Sequence, residues 1–303
     1  MRNLFLLGAH RSGTTWLHQI LASSSEVSYL SYGEIRQAIH RGLQPLSKQQ
    51  IQQALLTQGE NRGFDSIAVG VDLPEEYGFL LEKGGFGYYS TRPISNTNFL
   101  PLQSLISSKQ HQNPEHRYLV LKNPVDFYDG ALHLSRVFPN SFLLCLHRHP
   151  WSVFRSQVRA WRELTDQYNP YIASLDSNYA QRMADPRQRT ALQFMLRQRK
   201  GLEALLASLA EGCNYHFMHQ EALDAAGLRL RYEDLFNDPT SELRRVGAAL
   251  KLSDLETPRP GLTIQFRQLD DDPLVQEVFM ENAHRFATYC EWLDYSLNPT
   301  EET

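Results

Sequence analysis

The 303-residue chain has little cysteine, no strong excess of either charge and no long apolar run. Its three cysteines, Cys145, Cys213 and Cys290, are widely spaced and form no Cys-x-x-Cys pair. That leaves no framework of paired cysteines and predicts free, buried thiols of a reducing compartment. Lys and Arg number 30 against 34 Asp and Glu, a net charge of −4. Nothing in that balance argues for a nucleic-acid surface, and any anion site has to be a local cluster of Arg and Lys. No stretch approaches the roughly 18–20 apolar residues that span a bilayer, so an integral membrane protein is not expected. The first apolar run stops at Gly8, too short for the core of a secretion signal, and a cytoplasmic location is the expectation. Repeats and low-complexity segments are also missing. What is present, 42% hydrophobic residues, suits one large α/β domain over 1–303 with a helical elaboration around 160–212.

The most informative stretch is Leu4-Phe5-Leu6-Leu7-Gly8-Ala9-His10-Arg11-Ser12-Gly13-Thr14-Thr15-Trp16-Leu17. Four apolar residues read as a buried parallel strand. A loop bracketed by Gly8 and Gly13 follows, then a helix with Leu17, Ile20 and Leu21 inward. Strand, glycine loop and helix start together form an anion site, because loop N–H groups and the helix dipole both favour negative charge. The glycine spacing is that of a nucleotide P-loop, but Thr14 stands where that loop carries lysine. The cation lies inside the loop, at Arg11, and Thr14 and Thr15 add hydroxyl donors.

Further along, Glu26–Leu30, Tyr118–Lys122, Phe142–His147 and Leu228–Tyr232 read as strands. Helices are expected from Ser31 to about His40, over Leu43–Leu56, from Asp72 to Gly84, over Tyr128–Val137, after Pro150, over Pro186–Ala210, from Pro239 to Leu250 and around Leu274–Phe286. Asp72-Leu73-Pro74-Glu75 has the look of a helix start, with an N-cap, a proline and an acid in the first turn. The glycines and aromatics of Lys83–Tyr89 fit either a mobile wall or a packed turn. Alternating strands and helices imply an α/β, P-loop-like three-layer fold, with a mostly parallel sheet, helices on both faces and ligands at the carboxyl ends of the strands.

An NTPase normally ends a second strand in the Asp that holds its metal. Here the strongest strand, Phe142–His147, runs into His147-Arg148-His149, which repels a metal ion and attracts a second phosphate. Ser156 follows early in the next helix, within reach of a phosphate that Arg148 also grasps. No third ligand accompanies His147 and His149 at metal-site spacing, so no metal is expected. A nucleotide with phosphates at both ends of its ribose satisfies both clusters.

Arg11-Ser12-Gly13-Thr14-Thr15-Trp16 also resembles the 5′-phosphosulfate loop of sulfotransferases that use 3′-phosphoadenosine 5′-phosphosulfate (PAPS), in a bacterial branch similar to the tyrosylprotein sulfotransferases. Phe138-Pro139-Asn140, Arg148 with Ser156, and Arg231-Tyr232-Glu233-Asp234-Leu235 resemble later motifs of that family, in the same order. The resemblance implies sulfuryl transfer from PAPS to a hydroxyl or amine acceptor. Arg11, Ser12, Gly13, Thr14 and Thr15 would hold the 5′ end, Arg148 and Ser156 the 3′-phosphate. Trp16 would stack on adenine, or else pack in the core; Tyr232 would meet the adenosine, or else sit half-buried at its strand end. Lys122 matches the family's strand lysine near the reacting centre. The histidine that cytosolic members carry two residues later is here Pro124, so the base comes from elsewhere. Gly33-Glu34 resembles the Gly-Glu of the tyrosylprotein branch and makes Glu34 the expected base, although Ser31-x-x-Glu34 is also a capping box. His10, His147 and His149 are its rivals. The late glycine motif that closes the cytosolic enzymes over the nucleotide has no counterpart after Leu250. Small-molecule, carbohydrate and lipid acceptors all suit the aromatic stretches 59–87, 99–113 and 161–183. The competing reading is a P-loop kinase or NTP-binding protein with a degenerate Walker A loop.

Overall fold

The computed structural model describes residues 1–40, 46–59, 61–65, 67–81, 98–255 and 272–297. Five strands form one sheet: β1 (Arg2–Leu7), β2 (Val27–Tyr29), β3 (Tyr118–Lys122), β4 (Phe142–His147) and β5 (Gly227–Arg231). Their spatial order is β2-β3-β1-β4-β5, and every pairing is parallel. Parallel strands need crossovers, and the helices that supply them cover both faces, so these strands are apolar on both sides. In β1, Phe5 and Leu7 enter one core cluster with Leu119, Leu121, Leu143 and Cys145, while Leu4 and Leu6 enter another with Leu17, Val120, Leu144 and Leu146. Helix α1 (Thr14–Ala22) brings Leu17, Ile20 and Leu21 onto the second face.

On the first face lie α2 (Tyr32–Ile39), α3 (Lys48–Leu56), α4 (Leu100–Gln112) and α6 (Ala131–Val137), while α5 (Asp126–Asp129) sends Phe127 and Tyr128 into a third cluster with Trp151, Leu206 and Phe279. A helical layer follows β4: α7 (Pro150–Asp166), α8 (Pro170–Leu175), α9 (Ser177–Ala184), α10 (Pro186–Met195), α11 (Arg199–Met218) and α12 (Gln220–Ala226). After β5 come α13 (Tyr232–Asn237) and α14 (Pro239–Leu250), then α15 (Pro273–Asn282) and α16 (Ala287–Trp292). The three cysteines are buried free thiols, as their spacing predicts.

Four expectations change. The segment from Asp72 forms no α-helix: a turn closed by Leu73 N to Gly70 O (3.1 Å) leads to an isolated bridge of Pro74 with Ser31, and Tyr77–Leu80 forms a short 3-10 turn. Its partners are non-local: Tyr32 N donates to Leu73 O (2.9 Å), Gly33 N to Val71 O (2.9 Å) and Glu75 N to Leu30 O (2.9 Å). Backbone pairing with the strip before α2 therefore overrides the local cap signal. The single helix expected over 128–137 breaks at Gly130 into α5 and α6. The region 186–210 is two helices, divided by a turn at 196–198 that Gly201 permits by leaving room for the Met195 carbonyl. Residues 100–112, read as part of an acceptor loop, form α4, and most of 161–183 is helical. Lys83–Tyr89 lies outside the described residues.

Because the sheet is parallel, the segments leaving β1, β3 and β4 emerge at one end. They are residues 8–13, Asn123-Pro124 and Arg148-His149, and β1 lies between the other two strands. In an open α/β sheet that carboxyl-end crevice is where ligands bind.

Candidate active site

Helix α1 starts without a side-chain cap. Gly13, its N-cap, has φ 94°, a left-handed conformation that glycine adopts without steric cost. A Cβ there would strike the ring of Tyr232, so glycine is also required for close approach. The first intrahelical bond is Leu17 N to Gly13 O at 3.2 Å, and N–H groups ahead of it have no partner within the helix. The Ser12 hydroxyl is buried with no hydrogen-bond partner. An uncapped helix start beside a buried, unsatisfied hydroxyl fits an anion.

Arg11 has φ 72°, uncommon for a bulky residue and a mark of imposed strain. Helix α7 and the turn before it hold the loop in that shape. Arg148 Nη1 donates to Arg11 O (2.9 Å), and Gln157 Nε2 donates to His10 O (2.9 Å). Two loop carbonyls are thereby tied off on one side. The Arg11 guanidinium donates through Nε to Ser156 Oγ (3.2 Å) and lies 3.4 Å from Asp65 Oδ2. Asp65 is shared with Arg62, whose Nη2 is 2.5 Å away. Burial would raise the Asp65 carboxyl, but Arg62 and Arg11 together bring it below its ordinary value.

The two expected phosphate clusters therefore meet through Arg11. Ser156 contacts the Arg11 side chain, Arg148 contacts its carbonyl, and the Arg148 guanidinium lies 4.2 Å from the centre of the Tyr232 ring. Tyr232 opens α13 with its ring over Gly13 and is 5% exposed. Trp16 is half-buried against the core on the α1 face.

Lys122 ends β3 and is 1% exposed. Its Nζ donates to Thr15 Oγ1 (2.9 Å) and pairs with Glu76 Oε1 (2.5 Å). Thr15, Lys122, Glu75, Glu76, Arg62 and His18 line a common cleft. Burial would raise the Glu76 carboxyl, but Lys122, His10 and Arg62 draw it down to about 2. Glu75 goes the other way: burial and the neighbouring Glu76 charge push it up against the pull of Arg62, and it accepts from the Tyr171 hydroxyl. Burial holds His10 and His18 neutral, each near 3.

Glu34 occupies a different setting. Its Oε2 accepts from Ser31 N (2.9 Å) and Ser31 Oγ (3.0 Å), completing a capping box on α2, and its Oε1 lies 2.8 Å from Lys109 Nζ. His147 sits in an aromatic nest, 2.9 Å from Tyr289 Oη and ringed by Phe127, His216 and Trp292. His149 caps α7: its Nδ1 accepts from Trp151 N (3.2 Å), which leaves Nε2 to donate to Ser296 O (2.6 Å). Reading the sequence alone misses Arg62, Asp65, Glu75 and Glu76. The one signal for the last two is a pair of acids directly before the apolar run Tyr77–Leu81.

At the carboxyl end of a parallel sheet, one loop thus carries Arg11 and takes a hydrogen bond from Arg148, with the strand-end Lys122 beside Thr15. Residues 3–256 match the profile of the sulfotransferase family. The chain belongs to that family. Similar solved structures are bacterial. A sulfotransferase from Alicyclobacillus acidocaldarius is 13% identical, with TM-score 0.51, covering 98% of this chain and 97% of its own. Sulfotransferase STF1 from Mycobacterium tuberculosis is 18% identical, with TM-score 0.52, covering 94% and 76%. Sulfotransferase STF9 from Mycobacterium avium is 19% identical, with TM-score 0.55, covering 97% and 77%. At these identities the likeness is one of fold. No curated protein matches the chain. Among the described residues no helix is long and apolar enough to cross a membrane.

Proposed function

We propose that this protein transfers the sulfuryl group of PAPS to a hydroxyl or amine of a small-molecule, carbohydrate or lipid acceptor, in the cytoplasm and as a single 1–303 unit. The observation that carries the reading is the convergence of Arg11, Ser156, Arg148 and Tyr232 on one loop, with Lys122 and Thr15 beside it. In-line transfer needs cations where charge develops on the departing phosphate. Arg11 and Lys122 are the cations in place, and Ser12, Thr14 and Thr15 supply hydroxyl donors around the 5′ end. Arg148 and Ser156 would take the 3′-phosphate, with Tyr232 against the adenosine and Trp16 stacked on adenine. Proton removal from the acceptor needs a base. Family resemblance offers Glu34, and the cleft offers a second.

Binding 3′-phosphoadenosine 5′-phosphate should raise the melting temperature in the presence of a chelator, whereas ATP with Mg²⁺ should do little. Stabilisation by ATP and Mg²⁺ alone would contradict the reading and favour the degenerate P-loop alternative. Arg148→Ala should weaken that binding by about 1.5–3 kcal/mol, the worth of a hydrogen bond to a charged group, and weaken AMP less. Equal losses would mean that Arg148 acts only by holding the Arg11 carbonyl.

A further inference from the structure

We propose that Glu76, not Glu34, takes the acceptor's proton. This rests on the sulfuryl-transfer reading and adds its missing base. Three observations meet at this side chain. Glu76 shares the cleft with Thr15 and Lys122. One of its oxygens is 2.5 Å from the lysine that belongs at the leaving oxygen. At 7% exposure it is buried, and a carboxylate shielded from water acts more strongly on a nearby proton than an exposed one does. Glu34 holds α2 and Lys109 through its oxygens.

The step balances without any further reactant. The acceptor O–H proton passes to the Glu76 carboxylate as the oxygen lone pair forms the new O–S bond. The bond from sulfur to the 5′-phosphate oxygen breaks with its electron pair left on the phosphate, beside Arg11 and Lys122. Glu76, now a neutral acid, returns its proton to solvent when the products leave.

The ion pair also gives the base its timing. Before the nucleotide binds, Lys122 keeps Glu76 ionised and weakly basic. When Lys122 turns a hydrogen bond toward the leaving oxygen, the charge that suppresses Glu76 is drawn away, and its affinity for a proton rises. Basicity therefore appears with the donor bound.

The test compares wild type, Glu76→Gln and Glu34→Gln in the release of 3′-phosphoadenosine 5′-phosphate from PAPS. Water or an aliphatic alcohol serves as one acceptor and 4-nitrophenolate, already ionised at the assay pH, as the other. Glu76→Gln should slow release to water or alcohol by about 10²–10⁴-fold, the worth of a general base. It should cost far less with the phenolate, which has no proton to lose, and product-nucleotide affinity should stay within a few-fold. Equal losses with both acceptors would reduce Glu76 to positioning Lys122. A large loss in Glu34→Gln with a normal Glu76→Gln would restore Glu34. Should Glu76→Gln fail to fold because Lys122 is left unpaired, Glu76→Asp keeps the charge and shortens the reach, and should show the same dependence on acceptor. A wild type that releases nothing from PAPS overturns sulfuryl transfer itself, whereas an active wild type with an unaffected Glu76→Gln overturns only this assignment.

Discussion

Glu34 and Glu76 stand on segments that hydrogen-bond to one another, yet they meet opposite surroundings. The strip 30–33 pairs with 71–75 through Tyr32 N, Gly33 N and Glu75 N. From that shared ribbon Glu34 turns to the start of α2, where it closes a capping box, partly exposed, with Lys109 alongside. Glu76 turns inward to the sheet end, where Lys122 and the arginine-bearing loop lie. The same side chain closes a capping box in one place and is a buried charge paired with Lys122 in the other. What decides is which way the ribbon carries it, and how much water its partner leaves.

The largest effect is expected from removing Lys122, which pairs with Glu76 and donates to Thr15. Lys122→Met should lower sulfuryl transfer by about 10²–10³-fold, as loss of a transition-state charge partner does. It should also destabilise the protein by about 3–5 kcal/mol, because a buried carboxylate loses the cation 2.5 Å from it. Steady-state turnover and denaturant melts measure the two effects. A change in turnover with unaltered stability would mean that the Glu76–Lys122 pair is not formed in solution.

A smaller effect lies in the acid limb of stability. The Glu76 carboxyl is held near 2 against an ordinary 4.5, so its contribution is present above about 4.5 and is lost as pH falls toward 2. In that window the unfolded chain binds more protons than the native one, and stability drops with falling pH by up to about 1.4 kcal/mol per unit from this group. Glu75, pushed upward, has the opposite sense, its contribution fading as pH rises through its raised value. Melting Glu76→Gln across this range should therefore give a flatter acid limb than wild type. An unchanged slope would place the pair in solvent.

Least affected should be the Glu34 variants. Glu34→Gln keeps a side chain able to complete the capping box and should leave turnover unchanged. Glu34→Ala should cost about 1 kcal/mol, the usual net worth of a hydrogen bond, again with normal turnover at temperatures well below the melt.

Much of this arrangement is legible in the sequence, for reasons that are local. A buried strand, Gly8, Arg11, Gly13 and a paired threonine need no distant contact to read as an anion loop, and alternation of apolar strands with amphipathic stretches dictates a parallel sheet. Lys122 and Arg148 follow because strand ends are easily located. Glu76 is invisible for the opposite reason. Asp72, Pro74 and Glu75 satisfy every local rule for a helix start, and the Leu30, Tyr32 and Gly33 backbones, some forty residues away in sequence, hold the segment out of a helix. Arg62 and Asp65 escape similarly: their importance comes from meeting Arg11 across the site, a placement that the spacing of neither segment encodes. Glu34 shows the limit of a motif: Ser31 and Glu34 carry a catalytic and a capping reading at once, and the hydrogen bonds show that the cap is formed.

The most direct measurement is the fate of radiolabelled sulfur from PAPS in a chelator-containing reaction with a panel of hydroxyl and amine acceptors. Label should appear in an acceptor, matched mole for mole by released 3′-phosphoadenosine 5′-phosphate, with no label transferred from γ-labelled ATP. Transfer of the ATP label in the presence of Mg²⁺, with PAPS left intact, would contradict sulfuryl transfer.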